Sequence, residues 1–290
     1  MTRRVLLVAH TGREDIRHLT HDISDRLSKA GLELVALPGE DAVVGLPCAD
    51  PQAEGDLELV LALGGDGTLL RGADRARVTN SPVLGINLGR IGFLAEADPD
   101  QLDMAIQAVI DRSYTVRERM TVDVLVEHDG AEIARGWALN EVSVEKATRE
   151  RILDVVIEVD GHGISAFGCD GVLIATPTGS TAYAFSAAGP IMWPQVEALL
   201  VVPSNAHALF SRPMVVAPNL EVVVHTDPDG HEAAMACDGS RISELPAGSR
   251  IRVRRGEQPV KMVRLGDVPF SDRLVRKFSL PIHGWRKKRH

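Results

Sequence analysis

Apolar residues recur along the chain with two different periods, and the change from one to the other divides it. Arg4 to Ala9 forms a short apolar run of the kind a buried strand makes, and His10-Thr11-Gly12 then leads into Ile16, Leu19, Ile23 and Leu27 at helical spacing. Gly31 stops that helix, and Leu32 to Leu37 supplies a second strand. This β-α-β order predicts a parallel sheet with right-handed crossovers. Pro38 to Asp56 carries three prolines and three glycines with little periodicity, so it reads as a surface loop, of a length that suits either a mobile flap near the site or a hidden short helix. Glu58 to Leu63 is a third buried strand, Gly64-Gly65-Asp66-Gly67 a turn, Thr68 to Arg77 a helix and Pro82 to Asn87 a further strand. Leu88-Gly89-Arg90-Ile91-Gly92-Phe93-Leu94 is again rich in glycine just past a strand end, on the same rim of the sheet as Asp66. Asp98 is placed to cap a helix through about Asp111, with Leu102, Ile106, Val109 and Ile110 facing inward.

Near Thr115 the period becomes two. Val122, Val124 and Val126 recur at every second position, Asp129-Gly130 marks a hairpin, and Ile133, Trp137 and Leu139 resume the alternation. Val155-Ile157-Val159 runs to Asp160-Gly161, Val222 to His225 runs to Asp227-Pro228-Asp229-Gly230, and Arg250 to Val253 and Val260 to Leu265 continue the pattern. The expected organisation is an α/β domain over residues 1–114, a mostly antiparallel β domain, of sandwich type, over 115–270, and a closing segment, 271–290, that returns to the first domain. That closing segment holds one helical run, Ser271 to Phe278.

Composition narrows the function classes. A formal charge of −8 leaves no long basic stripe, which argues against nucleic acid as a principal partner. Trp285-Arg286-Lys287-Lys288-Arg289 is basic but short and terminal, and is expected to be a solvated tail. Cys48, Cys169 and Cys237 show no CxxC spacing, so neither a disulfide framework nor a zinc site is expected, and a cytoplasmic location fits. No apolar run reaches membrane-spanning length, so no membrane association is expected. His18 and His21 stand three apart on the first helix without a third ligand nearby, which favours a solvated face over a metal site.

The glycine turn carries the first chemical signal. Gly64, Gly65 and Gly67 let backbone N–H groups approach a polyanion that Cβ atoms would hold off, at the strand-to-helix junction where open α/β sheets bind ligands. A carboxylate in such company repels phosphate unless it holds a metal or takes up a proton during reaction. The alternative is a tight turn with an exposed Asp66. Further on, Asn140-Glu141 interrupts an apolar pattern at a strand end, where an amide that donates beside a carboxylate that accepts can grip a diol, or can simply be solvated. Phe167-Gly168-Cys169-Asp170-Gly171 and Thr176-Pro177-Thr178-Gly179-Ser180-Thr181-Ala182-Tyr183 supply glycine turns and hydroxyls suited to a polar pocket wall, or to a capped turn. Thr181 to Ala187 is expected to start a helix. Cys237-Asp238-Gly239 echoes the earlier Cys-Asp-Gly and reads as a hairpin turn.

In this order, Gly64 to Thr68, Asn140-Glu141, Asp170-Gly171 and Thr176 to Tyr183 resemble the NAD kinase family, and more closely its actinobacterial members. The likeness runs from the first strand to Arg273-Leu274-Val275-Arg276-Lys277-Phe278. Gly-Gly-Asp-Gly alone is shared with phosphofructokinases and lipid kinases, whereas the Thr-Pro-Thr-Gly-Ser-Thr-Ala-Tyr string is far more specific. One departure is visible, Cys169 standing where the family usually has glycine before Asp170-Gly171.

The resemblance implies a phosphofructokinase-like α/β domain joined to a β-sandwich, and phosphoryl transfer from ATP, or from polyphosphate, to the 2′-hydroxyl of the adenosine ribose of NAD with Mg²⁺. It implies that Asp66 is the catalytic base, that Gly65 and Gly67 give the donor phosphates room, and that Arg71 and Arg151 contact phosphate. Asn140 and Glu141 would take nicotinamide-side groups, and Thr181, Ala182, Tyr183 and Ser186 the adenosine half. Asn205 is a further pocket residue. It also implies a homo-oligomer, dimer or tetramer, in which Asp170 completes a neighbouring subunit's site. No protein-held metal cluster is expected. The rival expectations are another kinase of the Gly-Gly-Asp-Gly superfold and a dinucleotide-sensing protein without catalysis.

Overall fold

The computed structural model describes residues 3–49, 57–89, 92–208 and 211–282. The basic tail and the end of the loop before the third strand lie outside them. The chain splits into two units, Met1–Glu118 with Val260–His290, and Arg119–Pro259.

The first unit is built on a six-stranded sheet in the order Leu32–Ala36, Arg3–Ala9, Leu57–Leu63, Val83–Ile86, Val260–Arg264, Thr115–Arg119. The first four strands pair in parallel. Their apolar runs are continuous because both faces are covered. Ile16, Ile23 and Leu27 of the helix Ile16–Lys29, with Ala105, Ile106 and Val109 of the helix Leu102–Asp111, pack on the face that carries Leu7, Leu34, Leu61 and Leu84. The helix Asp66–Val78 lies on the other face, where Gly72 is needed because a Cβ there would crowd Ala62 and Val83. Each large apolar side chain fully buried in such a layer contributes about 1.5–3 kcal/mol. Asp98 and Gln101 close a capping box ahead of Leu102–Asp111, the start signal read from the sequence. The proline-rich stretch does contain a short helix, Asp41–Val44, which Gly45 ends in the left-handed conformation at φ 74°.

Two strands sit elsewhere than the period-two pattern put them. Val260–Arg264 pairs in parallel with Val83–Ile86 through Met262 and Val83, so it extends the first sheet and does not continue the antiparallel set. Alternation cannot report the destination, because an edge-side strand of an α/β sheet and a sandwich strand share the same period. Thr115–Arg119 likewise borders the first sheet.

The second unit stacks two antiparallel six-stranded sheets. One runs His162–Cys169, Leu153–Val159, Val222–Thr226, Arg250–Arg255, Val122–His128, Ala131–Ala138; the other runs Met214–Val216, Leu199–Ser204, Gly171–Ala175, Glu141–Lys146, Ala233–Cys237, Arg241–Leu245. Their inner faces meet in one core that includes Val124, Val142, Ile157, Ile174, Val201, Val224 and Ile251. The outer face of the second sheet is partly covered by a smaller cluster in which Ala184 and Met192 pack on Leu173, Leu200 and Val202. Among the described residues no helix is long and apolar enough to cross a membrane.

Candidate active site

In the first unit the sheet order places the carboxyl ends of Arg3–Ala9 and Leu57–Leu63 side by side, where the chain crosses to opposite faces. Ligands of open α/β sheets bind at such a switch. Gly64 is required by packing, since a Cβ there would overlap the Thr68 hydroxyl. Gly65 and Gly67 are different. Neither has a positive φ, and among the described residues a Cβ on either would meet no atom within 4 Å beyond its own chain neighbours and helix. Protein packing therefore does not explain these two glycines, whereas a ligand approaching the backbone does.

Asp66 begins the helix Asp66–Val78. Its Oδ2 accepts the Phe93 N–H at 3.1 Å and its Oδ1 accepts the Leu94 N–H at 3.2 Å. Gly92 permits this approach, because a Cβ at that position would collide with the Asp66 carboxylate. The two glycine-rich loops are thus joined through Asp66. Two of the carboxylate's four lone-pair sites are used. Among the described residues nothing else is bonded to this half-buried carboxylate, which leaves two sites for a hydroxyl proton or a cation.

Arg71, one turn into the same helix, forms an ion pair with Glu40 and donates to the Ala9 carbonyl at 3.5 Å. Glu40 is buried, and its Oε2 accepts the Ala9 N–H at 3.0 Å. No periodicity or motif marked Glu40, which lies in the proline-rich stretch. A stronger acid–base cluster occurs where the strands begin, where Arg3 and Arg112 hold the Glu58 carboxyl down at about 2 by hydrogen bonding. It ties strand starts to the end of a helix and stands away from the glycine rim.

In the second unit Asn140 and Glu141 are buried. Glu141 opens the strand Glu141–Lys146 and accepts the Tyr183 backbone N–H. The Asn140 carbonyl accepts the Thr176 N–H at 2.8 Å, and a Cβ on Gly179 would collide with that same carbonyl. The hydroxyl-rich segment is therefore folded directly against Asn140-Glu141. Among the described residues Asn140 Oδ1 and Glu141 Oε2 have no hydrogen-bond partner. Buried polar atoms are rarely left so unless ordered water or a ligand completes them.

The Asp238 carboxylate accepts the Leu139 N–H at 3.0 Å, the Asn140 N–H at 2.6 Å and Arg241 at 2.8 Å. Asp238 and Gly239 do form a hairpin turn, with φ values of 50° and 68°. The turn has a second role, since its carboxylate fixes the backbone of the Asn-Glu pair. Arg241 in turn lies 4.7 Å from the centre of the Trp137 ring.

Burial pushes the Glu141 carboxyl up to about 8, the neighbouring Asp238 charge adds to the rise, and the Tyr183 N–H opposes it. The folded state keeps a proton there between the ordinary carboxyl value and about 8 that the unfolded chain releases, so this group's contribution to stability falls as pH rises through that window. Glu141→Gln is expected to flatten the decline and to gain on the order of 3 kcal/mol relative to wild type at pH 8. Urea denaturation at pH 5, 6, 7 and 8 reads it; parallel curves for the two proteins would contradict it.

The helix expected from Thr181 to Ala187 is a single turn, Tyr183–Ser186, preceded by a 3₁₀ turn Gly179–Thr181 and a break at Ala182. The Tyr183 N–H, which would have been a free helix-terminal donor, goes to Glu141. Tyr183 and Ser186 are exposed, Thr181 and Ala182 half-buried, and the Tyr183 hydroxyl is bonded to Ser204. Asp170 pairs with Lys146 at 2.5 Å and accepts from Asn205 Nδ2 at 2.8 Å, and both hold its carboxyl below the usual range. Cys169 is buried, and burial pushes its thiol up to about 12. Arg151 is exposed in the connection between the strands Glu141–Lys146 and Leu153–Val159. His18 and His21 are exposed, and among the described residues no cluster of acidic, His and Cys groups could hold a metal.

Glycines that leave space beside a held carboxylate, on an α/β unit joined to a β-sandwich, have the chemistry of a phosphate-binding site. The chain matches the ATP-NAD kinase N-terminal domain over residues 46–114 and the ATP-NAD kinase C-terminal domain over residues 139–265. It is 51% identical to the NAD kinase of Rhodococcus erythropolis, with 99% of this chain and 97% of that one covered. The chain belongs to the NAD kinase family. Two solved structures at 22% identity share the fold: yeast NADH kinase complexed with NADH, at a TM-score of 0.88 over 99% of this chain and 90% of that one, and an NAD kinase from Archaeoglobus fulgidus in complex with ATP, at 0.73 over 96% and 100%.

Proposed function

We propose that this NAD kinase uses Asp66 as the general base in transferring the terminal phosphoryl group of ATP to the 2′-hydroxyl of the adenosine ribose of NAD. The hydroxyl oxygen forms the new bond to phosphorus, the bond to the ADP oxygen breaks, and Asp66 takes the hydroxyl proton. One observation carries this: a carboxylate held by two backbone N–H groups, next to two glycines whose space no other described residue fills. Gly65 and Gly67 admit the donor phosphates, and Arg71, released from Glu40, is placed on the same helix to meet them. Arg151 is proposed as a second phosphate contact, supported by family position.

Thr181, Ala182, Tyr183 and Ser186 bind the adenosine half, with the exposed Tyr183 ring available for stacking. Asn140 and Glu141, whose orphaned oxygens need partners, take ribose or amide groups of the nicotinamide half. Glu141, protonated at neutral pH, can donate as well as accept there. Mg²⁺ would come with the donor phosphates and neutralise their charge, which leaves Asp66 free to act as the base. The enzyme is proposed to act in the cytoplasm, where its free Cys48, Cys169 and Cys237 stay reduced. The deciding assay is incubation with ATP, Mg²⁺ and NAD followed by detection of NADP; binding of both nucleotides without NADP would leave a sensing protein.

The active form is proposed to be a homo-oligomer, dimer or tetramer, with Asp170 and Asn205 completing a neighbouring subunit's site. Val156, Ile164, Val215 and Ile242 of the β unit are exposed, which supports self-association. Mixing the inactive variants Asp66→Asn and Asp170→Ala under subunit exchange is expected to restore part of the activity. No recovery, with exchange confirmed by native mass spectrometry, would place Asp170 in its own subunit's site.

A further inference from the structure

The loop that grips Asp66 is itself gripped from the far end of the chain. Arg273, on the helix Phe270–Phe278, donates to the Ala95 carbonyl at 2.8 Å and the Phe93 carbonyl at 3.4 Å, and pairs with Glu96. Both partners are largely buried, with 13% of the Arg273 side chain and 5% of Glu96 exposed. Glu96 is fixed in turn by the Leu265 N–H at 3.2 Å and by Arg264 at 3.3 Å. The Phe93 ring packs against Phe270 and Phe278, with centroids 6.4 Å and 5.4 Å away. Phe93 thus offers its N–H to Asp66, its carbonyl to Arg273 and its ring to the helix. The Phe93 carbonyl and the Leu94 N–H share one planar peptide unit, so the Arg273 bond to that carbonyl bears directly on where the Leu94 N–H points, while the packed Phe93 ring restrains the residue that offers the other N–H.

We infer that Arg273 is a positioning residue for phosphoryl transfer, acting through the Phe93-Leu94 backbone to hold the Asp66 carboxylate in its productive orientation. This rests on Asp66 being the base. A displacement of about 1 Å at a reacting group costs on the order of a hundredfold in rate, so the loss belongs in kcat and not in the binding of NAD. Burial alone would account for a stabilising Arg273, but not for an effect that depends on Asp66.

The test is a cycle of Arg273→Ala, Asp66→Asn and the double variant, read as single-turnover rate, NAD Kd and Tm on the full-length enzyme. Arg273→Ala is expected to lower the rate about ten- to a hundredfold with NAD Kd within about twofold, and to have almost no further effect once Asp66 is Asn. Arg273→Lys, which keeps the charge and part of the donor set, is expected to recover part of that rate. An unchanged rate, an equal loss in both backgrounds, or a loss confined to NAD Kd would each overturn the inference. Should Arg273→Ala fail to fold, Arg273→Lys replaces it in both backgrounds under the same criteria. Near-normal turnover in Asp66→Asn alone would instead overturn the base role on which the inference stands.

Discussion

Asp66→Asn is expected to lower turnover by about two to four orders of magnitude while NAD still binds. The size follows from losing a positioned base, and the survival of binding follows from where the dinucleotide contacts are proposed to lie, in the second unit. The structure adds a complication that the measurement can resolve. Asp66 accepts two N–H groups, one on each oxygen, and an Asn side chain offers only one acceptor, so its amide would face either Phe93 or Leu94 as a second donor. The loop will therefore shift as well as the base being lost. Asp66→Ser lacks the base but brings no amide donor against the Phe93 and Leu94 N–H groups, so a rate as low as that of Asp66→Asn would show that the misplaced amide is not what slows the Asn variant. Near-normal turnover in either would refute the role of Asp66.

Asp238→Ala is expected to be the most destabilising single change in the β unit. It leaves the Leu139 and Asn140 N–H groups without their acceptor and removes the counter-charge of Arg241, at a site where only 1% of the Asp238 side chain is exposed. Removing one partner of a buried charge pair costs about 3–5 kcal/mol. The loss should appear in Tm and also in NAD affinity, because Asp238 holds the backbone that presents Asn140 and Glu141. Thermal unfolding together with calorimetric NAD binding checks both. A variant with a wild-type Tm would mean that the hairpin tolerates the loss and that the carboxylate is not what fixes the Asn-Glu turn.

Local signals made much of this legible in the sequence. Continuous apolar runs gave the parallel strands because both their faces are covered, Asp98 gave a helix start because the cap is a contact between residues three apart, and Asp-Gly pairs gave hairpins because they tolerate positive φ. The space around Gly65 and Gly67 was also readable, as glycine with no other local reason.

What escaped depends on partners distant in sequence. Glu40 finds Arg71, Glu96 finds Arg273, and Asp238 finds the Asn140 backbone only once the sheets are assembled, so nothing in the neighbouring residues distinguishes these carboxylates from solvated ones. Val260–Arg264 escaped for a related reason, since its partner strand at Val83 is far away and its alternation suits either sheet. The one-turn length of Tyr183–Ser186 was hidden because Ala and Ser suit a longer helix, while the buried Glu141 takes its first donor.

The most direct measurement offers the enzyme, with ATP and Mg²⁺, either NAD or an NAD analogue that lacks only the 2′-hydroxyl of the adenosine ribose, and follows phosphorylated product by mass spectrometry. NAD should give NADP with phosphate on the adenosine 2′-oxygen, and the analogue should bind as a competitive inhibitor and remain unphosphorylated. A phosphorylated product from the analogue would mean that Asp66 acts on some other hydroxyl.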